Sequence, residues 1–150
     1  SAAIDHIITS VERNAPDAQL DGILIESMIN NAILELMVNL RRDPQFGLVL
    51  TVASGGVMTE ILQDASTVLV PADDVSLQSS IDSLRIAPLF NGFRGGQAAS
   101  RTAVLDQIKC LVSLMDGAPD IIETEINPMM VGTDYACCAD ALISISSTAA

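Results

Sequence analysis

The stretch from Ile121 to Ile145, IIETEINPMMVGTDYACCADALISI, decides the fold. Gly132-Thr133-Asp134 is turn chemistry, and the runs Ile121 to Val131 and Tyr135 to Ile145 on either side of it read as the two strands of a hairpin. A hairpin symmetric about Thr133 and Asp134 pairs Val131 with Ala136 and sets Asn127 directly opposite Asp140. Alternation then gives Glu123, Glu125 and Asn127 one face together with Cys138 and Asp140, and gives Ile122, Ile126, Cys137, Ala139 and Ile143 the other. One face is apolar and the other gathers oxygen donors.

Outward from this hairpin the chain supplies both of its layers. Leu34, Leu36, Val38 and Leu40 alternate with Glu35, Met37 and Asn39, which predicts a strand. Arg42-Asp43-Pro44-Gln45-Phe46-Gly47 is a turn, and Leu48 to Ala53 completes a second hairpin. Gly22 to Met28 reads as a short buried strand, and Ser66 to Pro71, rich in β-branched residues, as another. Helical spacing appears at Ile4, Ile7, Ile8 and Val11, broken by Asn14-Ala15-Pro16-Asp17. It returns at Val104, Ile108, Leu111 and Met115 until Asp116-Gly117-Ala118-Pro119 ends it. Val57 to Ala65 fits a short helix, a second helix capped by Asp74 or Ser76 runs to Leu84, and the Pro and Gly residues between Ala87 and Ala98 predict a loop. Antiparallel hairpins with helices to cover one sheet face make an α+β fold whose other face is open to a cleft.

At 150 residues with 49% hydrophobic side chains, the chain is expected to form a single domain with one core. The formal net charge of −12, with one lysine and six arginines, argues against nucleic acid, whose phosphates need a positive surface. No apolar run is long enough for a bilayer span, so a soluble, cytoplasmic protein without a membrane partner is expected. Cys110, Cys137 and Cys138 read as reduced thiols, since adjacent residues of a strand point to opposite faces and no further cysteine or histidine cluster completes a zinc site.

Opposed Asn127 and Asp140, with Glu125 two residues along the same face, offer oxygen ligands suited to magnesium, which keeps waters and shares carboxylates with substrate phosphates. A merely solvated hairpin face is the plainer alternative. Ser54-Gly55-Gly56 would let backbone N–H groups approach a phosphate, or it simply turns the chain at a strand end; no Walker-type lysine is present. Arg41, Arg42, Arg85 and Arg94 are candidates for phosphate or carboxylate partners, or are solvated. His6 falls on the polar flank of the first helix with no serine or cysteine nucleophile paired to it.

Read in order, Gly22-Ile23-Leu24-Ile25-Glu26-Ser27-Met28, Leu34-Glu35-Leu36-Met37-Val38, Arg41 to Gly47, Ser54-Gly55-Gly56 with Glu60 and Asp64, Pro88-Leu89 with Gly92-Phe93-Arg94-Gly95, Glu125-Ile126-Asn127-Pro128 and Ala139-Asp140-Ala141 resemble the C-terminal part of the ATP-grasp domain of ADP-forming acyl-CoA synthetases. The β subunit of succinyl-CoA synthetase is a relative with the same arrangement. The resemblance covers nearly everything from Gly22 onward and implies the reaction acyl-CoA + ADP + phosphate to acid + CoA + ATP, through an acyl phosphate and a phosphohistidine. By it, Asn127 and Asp140 would bind Mg2+, and Glu125 would position the phosphohistidine. Glu26, Met28, Glu35, Ser54, Gly55, Gly56 and Arg94 would bind ATP or ADP.

The resemblance also implies a piece of a larger protein. The family's first ATP-grasp subdomain with its phosphate-contacting lysine and the CoA-binding and phosphohistidine domains would be its partners, and the isolated chain would not turn over. Lys109, within a helix, is a poor substitute for that lysine. Exposed cleft surface without its partner subdomain makes a homo-oligomer an option. Asn39 and Ala53 stand where the family usually has glycine, and Leu48 where proline is common. Those departures favour the alternative of a degenerate, non-catalytic module of a protein acyltransferase, or an assembly domain. A carboxylate–amine ligase fits these motifs less well.

Overall fold

A computed structural model describes residues 1–56 and 64–146. Helix α1 (Ala2–Asn14) precedes strands β1 (Leu34–Asp43), β2 (Gly47–Ser54) and β3 (Ala65–Val70). Helix α2 (Asp74–Asp82), a 3-10 turn (Ala87–Asn91) and helix α3 (Arg101–Gly117) follow, and β4 (Ile121–Val131), β5 (Ala136–Cys138) and β6 (Ala141–Ile145) close the chain. The sheet runs β3-β2-β1-β4-β5 with β6 also on β4, and every pair is antiparallel. This is the α+β architecture expected, with α2 and α3 over one face.

Alternation places the core. Leu34, Leu36, Val38 and Leu40 of β1 are buried against Leu50 and Val52 of β2, Ile126 and Met129 of β4, and Leu77, Ile81, Val104 and Ile108 of α2 and α3. Each such side chain contributes about 2 kcal/mol of burial. The β1–β2 turn forms because Asp43 Oδ1 accepts from the amides of Gln45 (2.9 Å) and Phe46 (3.1 Å), while Gly47 takes the φ of +77° that closes it. Those two amides, with Arg41 adding less, hold the Asp43 carboxyl below its ordinary value. Arg42 is not a phosphate ligand: its guanidinium donates to the carbonyls of Ile121 (2.9 Å), Met115 and Ala118 (3.4 Å), locking the hairpin to the end of α3 where the helix dipole favours a cation. Arg41 pairs at the surface with Asp43 at 3.5 Å.

Four expectations need correction. Gly22 to Met28 is not a buried strand: it is irregular and exposed, with Leu24, Ile25 and Met28 at 81, 78 and 81% of full accessibility. An apolar run signals a preference for burial, but both edges of β1 are already taken by β2 and β4. The cap of α2 is Asp73, which accepts from the Ser76 amide at 2.8 Å, one residue before the expected position. The loop from Ala87 to Ala98 opens with a 3-10 turn. The second strand of the last hairpin is split, with Ala139 and Asp140 lying between β5 and β6. The helix expected over Val57 to Ala65 lies outside the described residues apart from Asp64 and Ala65, and Ala65 opens β3.

The face assignment of β4 changes for a related reason. Leu36 pairs with Met129 but Val38 with Ile126, so Asn127 and Pro128 together oppose Met37 in a bulge. Proline cannot donate to a ladder, and a bulge is where an interior strand tolerates it. The phase of alternation therefore inverts, and Ile126 and Met129 both enter the core. Cys138, across from Met129, packs toward the core, while Cys137, across from Met130, is exposed. A second irregularity near Ile121 leaves Ile122 exposed. Ile122, Cys137 and Ala139 thus leave the apolar face, and Cys138 joins it.

Candidate functional site

The sheet face away from the helices carries the polar side chains in cross-strand rows. Thr67, Thr51, Asn39, Glu125 and Leu142 form one row; Leu69, Val49, Arg41, Glu123 and Ser144 form the next. Asn39 Nδ2 donates diagonally to Glu123 Oε1 at 2.7 Å, and the Thr51 and Thr67 hydroxyls meet at 3.1 Å. One row beyond Glu125 lies the bulge. There the Asn127 amide donates to the Asp140 carbonyl (3.2 Å), and the Ala139 amide to the Pro128 carbonyl (3.0 Å). Asn127 and Asp140 are therefore direct cross-strand neighbours, as the register with Val131 against Ala136 requires. Asn127 is half-buried and Asp140 exposed. Asp140 Oδ1 accepts from the Ala141 amide at 2.8 Å, and Oδ2 has no hydrogen-bond partner among the described residues.

At the end of β2, sterics explain the glycine pair. The Gly55 amide donates to the Glu35 carbonyl at 2.8 Å, and a Cβ on Gly55 would lie 2.6 Å from the Leu36 carbonyl carbon, so only glycine permits this approach to β1. Gly56 has a φ of +67°, and a Cβ there would overlap Glu35 Oε2. The Glu35 carboxylate thus lies over Gly56, a contact the alternation of β1 did not announce. Ser54 is buried, and its hydroxyl donates to Asp64 Oδ2 at 2.7 Å. That hydroxyl and the Gly55 amide are both engaged within the fold. Asp64 also accepts the Arg85 amide on both oxygens at 2.9 Å, so one buried carboxylate joins β2 to the end of α2.

Glu26 and Met28 are positioned by anchors further along. The Ile33 amide donates to the Val131 carbonyl (2.7 Å) and the Tyr135 hydroxyl to the Asn30 carbonyl (3.1 Å), which fixes residues 30–33 to the hairpin turn. Glu26, Ser27, Met28 and Ile29 then face Met130, Cys137, Cys138 and Ala139 across a mostly apolar cleft of about 470 Å3. Periodicity alone did not single out Met130 and Cys137. Arg94 is not joined to this group by any hydrogen bond or ion pair among the described residues; it sits on the exposed loop before α3 with its guanidinium 5.3 Å from the Phe93 ring centre. Among the described residues no three His, Cys, Asp or Glu side chains form a metal cluster, and no helix is long and apolar enough to cross a membrane.

Burial pushes the Cys138 thiol above its ordinary pKa, with the neighbouring Cys137 adding to the effect. Cys138 is therefore expected to react with iodoacetamide at pH 8 more slowly than exposed Cys137 and Cys110. Peptide mass spectrometry reads the order, and equal rates would contradict this packing.

The ATP-grasp domain family matches residues 1–145 of the chain. The chain belongs to the ATP-grasp family. This ATP-grasp chain is 32% identical over 135 residues to the β subunit of acetate–CoA ligase (ADP-forming) I of Pyrococcus furiosus, covering 90% of the chain and 58% of that protein. It is 30% identical over 129 residues to acetate–CoA ligase (ADP-forming) I of Archaeoglobus fulgidus, covering 86% of the chain. The chain spans 19% of that ligase's length. Among solved structures it is similar to the dinucleotide-forming acetyl-coenzyme A synthetase 1 of Ca. Korarchaeum cryptofilum. In the complex with coenzyme A, Ca-AMPCP and HgCl+ the TM-score is 0.82 at 30% identity, over 97% of this chain and 63% of that one. In the complex with coenzyme A and Mg-AMPPCP, whose phosphohistidine segment points towards the nucleotide-binding site, it is 0.71 at 28%, over 75% and 53%.

Proposed function

We propose that this chain is one part of an ADP-forming acyl-CoA synthetase, the nucleotide- and magnesium-binding half that works with a first ATP-grasp subdomain and with CoA-binding and phosphohistidine domains. The observation that carries the reading is the register of β4, which sets Asn127 beside Asp140 on a face shared with Glu125, one row from the cleft that Glu26 and Met28 overhang. Glu26 and Met28 meet the ribose and adenine. Gly55 and Gly56 add no side chains of their own at the end of β2, near which the phosphates pass, and Ser54 holds that end through Asp64 while the Glu35 carboxylate lies over Gly56. Glu125 orients the incoming phosphohistidine, and Arg94 belongs to a loop that approaches the nucleotide.

Two oxygen donors, an amide and a carboxylate with one free oxygen, fit a magnesium ion that takes the rest of its shell from water and phosphate. Asn127 and Asp140 would hold it. Bound there, the ion would neutralise charge on the transferring phosphoryl group. The protein's own contribution is positioning and exclusion of water around acyl-CoA + ADP + phosphate and acid + CoA + ATP.

A second reading, a degenerate module of a protein acyltransferase, is favoured by Asn39, whose side chain occupies the open face and engages Glu123. Calorimetry of Mg-ADP with the full-length protein separates the two. Micromolar binding supports the synthetase, and absence of binding with a folded protein supports the degenerate module.

A further inference from the structure

A hollow of about 730 Å3 on the helical side of the molecule is not used by the function above. It lies on the layer formed by α2, the 3-10 turn and the start of α3, away from the open sheet face. Gln78 and Asp82 of α2, Arg85, Asn91 and Arg101 supply its polar lining. The chain has 19 acidic residues against seven lysines and arginines, so a cation on its surface should readily find a carboxylate. Two of the seven line this one hollow, and the Arg85 guanidinium has no ion-pair or hydrogen-bond partner among the described residues.

Arg101 is held firmly. Its Nη2 donates to Asp82 Oδ1 at 2.7 Å, and its guanidinium carbon stands 5.1 Å from the centre of the buried Phe90 ring. Yet Nε is buried with no hydrogen-bond partner among the described residues. A buried, charged N–H without an acceptor is costly, and a bound water or anion is one way such a group is satisfied. A pre-positioned guanidinium with an unmet donor, a second unpaired arginine and two side-chain amides together match a planar or tetrahedral oxyanion.

We infer that this hollow is a binding site for a compact oxyanion, the carboxylate or phosphate group of a small ligand, held by Arg85 and Arg101 with Gln78 and Asn91. Among the described residues the one negative group that lines it is Asp82, which is already paired with Arg101.

The test is a titration of the chain with inorganic phosphate and, separately, with acetate, followed by nitrogen–proton correlation spectra that include the arginine Nε–H signals. The expected result is saturable displacement of the Arg101 Nε–H and of the Arg85, Asn91 and Gly92 amides. Saturation by phosphate alone assigns a phosphate group, by acetate alone a carboxylate, and by both a general oxyanion site. Arg85→Ala, an exposed position, should keep the dispersed spectrum of the folded chain and weaken binding at least about tenfold; Arg85→Lys should recover part of it. The inference is overturned if neither anion moves these signals, if the displaced signals gather at Gly55, Gly56, Asn127 and Asp140 instead, or if Arg85→Ala binds as the parent does.

Discussion

Asp140→Ala in the full-length protein is expected to lower ATP formation from acyl-CoA, ADP and phosphate by about a hundredfold or more, the usual scale for losing one group that stabilises a charged transition state. The fold should survive. Asp140 is exposed, and among the described residues its side chain bonds only to the adjacent Ala141 amide, so the unfolding midpoint should move little. Asp140→Asn keeps a hydrogen-bond acceptor but not the charge, and should fall between the two while needing more magnesium for half-maximal rate. Asp134→Ala, in the turn of the same hairpin, is the control expected to retain the parent rate. Unchanged ATP formation by Asp140→Ala would remove the proposed metal role, whatever the calorimetry showed.

The largest expected loss of stability comes from Asp64→Ala. This buried carboxylate accepts the Ser54 hydroxyl and the Arg85 amide, and removing it leaves a buried hydroxyl and a charge-assisted amide bond unmet. With bonds to a charged group worth about 1.5–3 kcal/mol each, a total near 3 kcal/mol is expected in urea denaturation. Asp64→Asn, able to keep one acceptor, should lose about half as much. A loss under about 0.5 kcal/mol for the alanine variant would mean that the junction between β2 and α2 is held by packing alone.

Much of this architecture was readable because β1 and the last hairpin obey a period of two. Leu34 to Leu40 predicted its own buried face, and the turn at Gly132-Thr133-Asp134 fixed the register that joins Asn127 to Asp140. What escaped reading depends on tertiary company. The bulge at Asn127 and Pro128 shows only when β4 is laid against β1, and it exchanges the faces of Cys137 and Cys138. Likewise Arg42 looked like a solvated or phosphate-seeking cation until the end of α3 and the start of β4 placed three carbonyls within its reach. The apolar run at Gly22 to Met28 could not reveal that both sides of β1 would be filled by β2 and β4. For the candidate site, the residue types were legible, but the contact of Glu35 with Gly56 and the engagement of Ser54 by Asp64 were not, because both arise from strands folding back on one another.

The divided margin of the sheet has a further consequence. Beyond β4 the chain offers a three-residue strand and a five-residue strand, separated by Ala139 and Asp140, and the five-residue one exposes Leu142, Ile143 and Ile145. An uninterrupted border of that composition would invite other chains to zip onto it and polymerise. Interrupted as it is, each piece is a poorer template, so the joint that presents Asp140 also blunts this margin of the sheet.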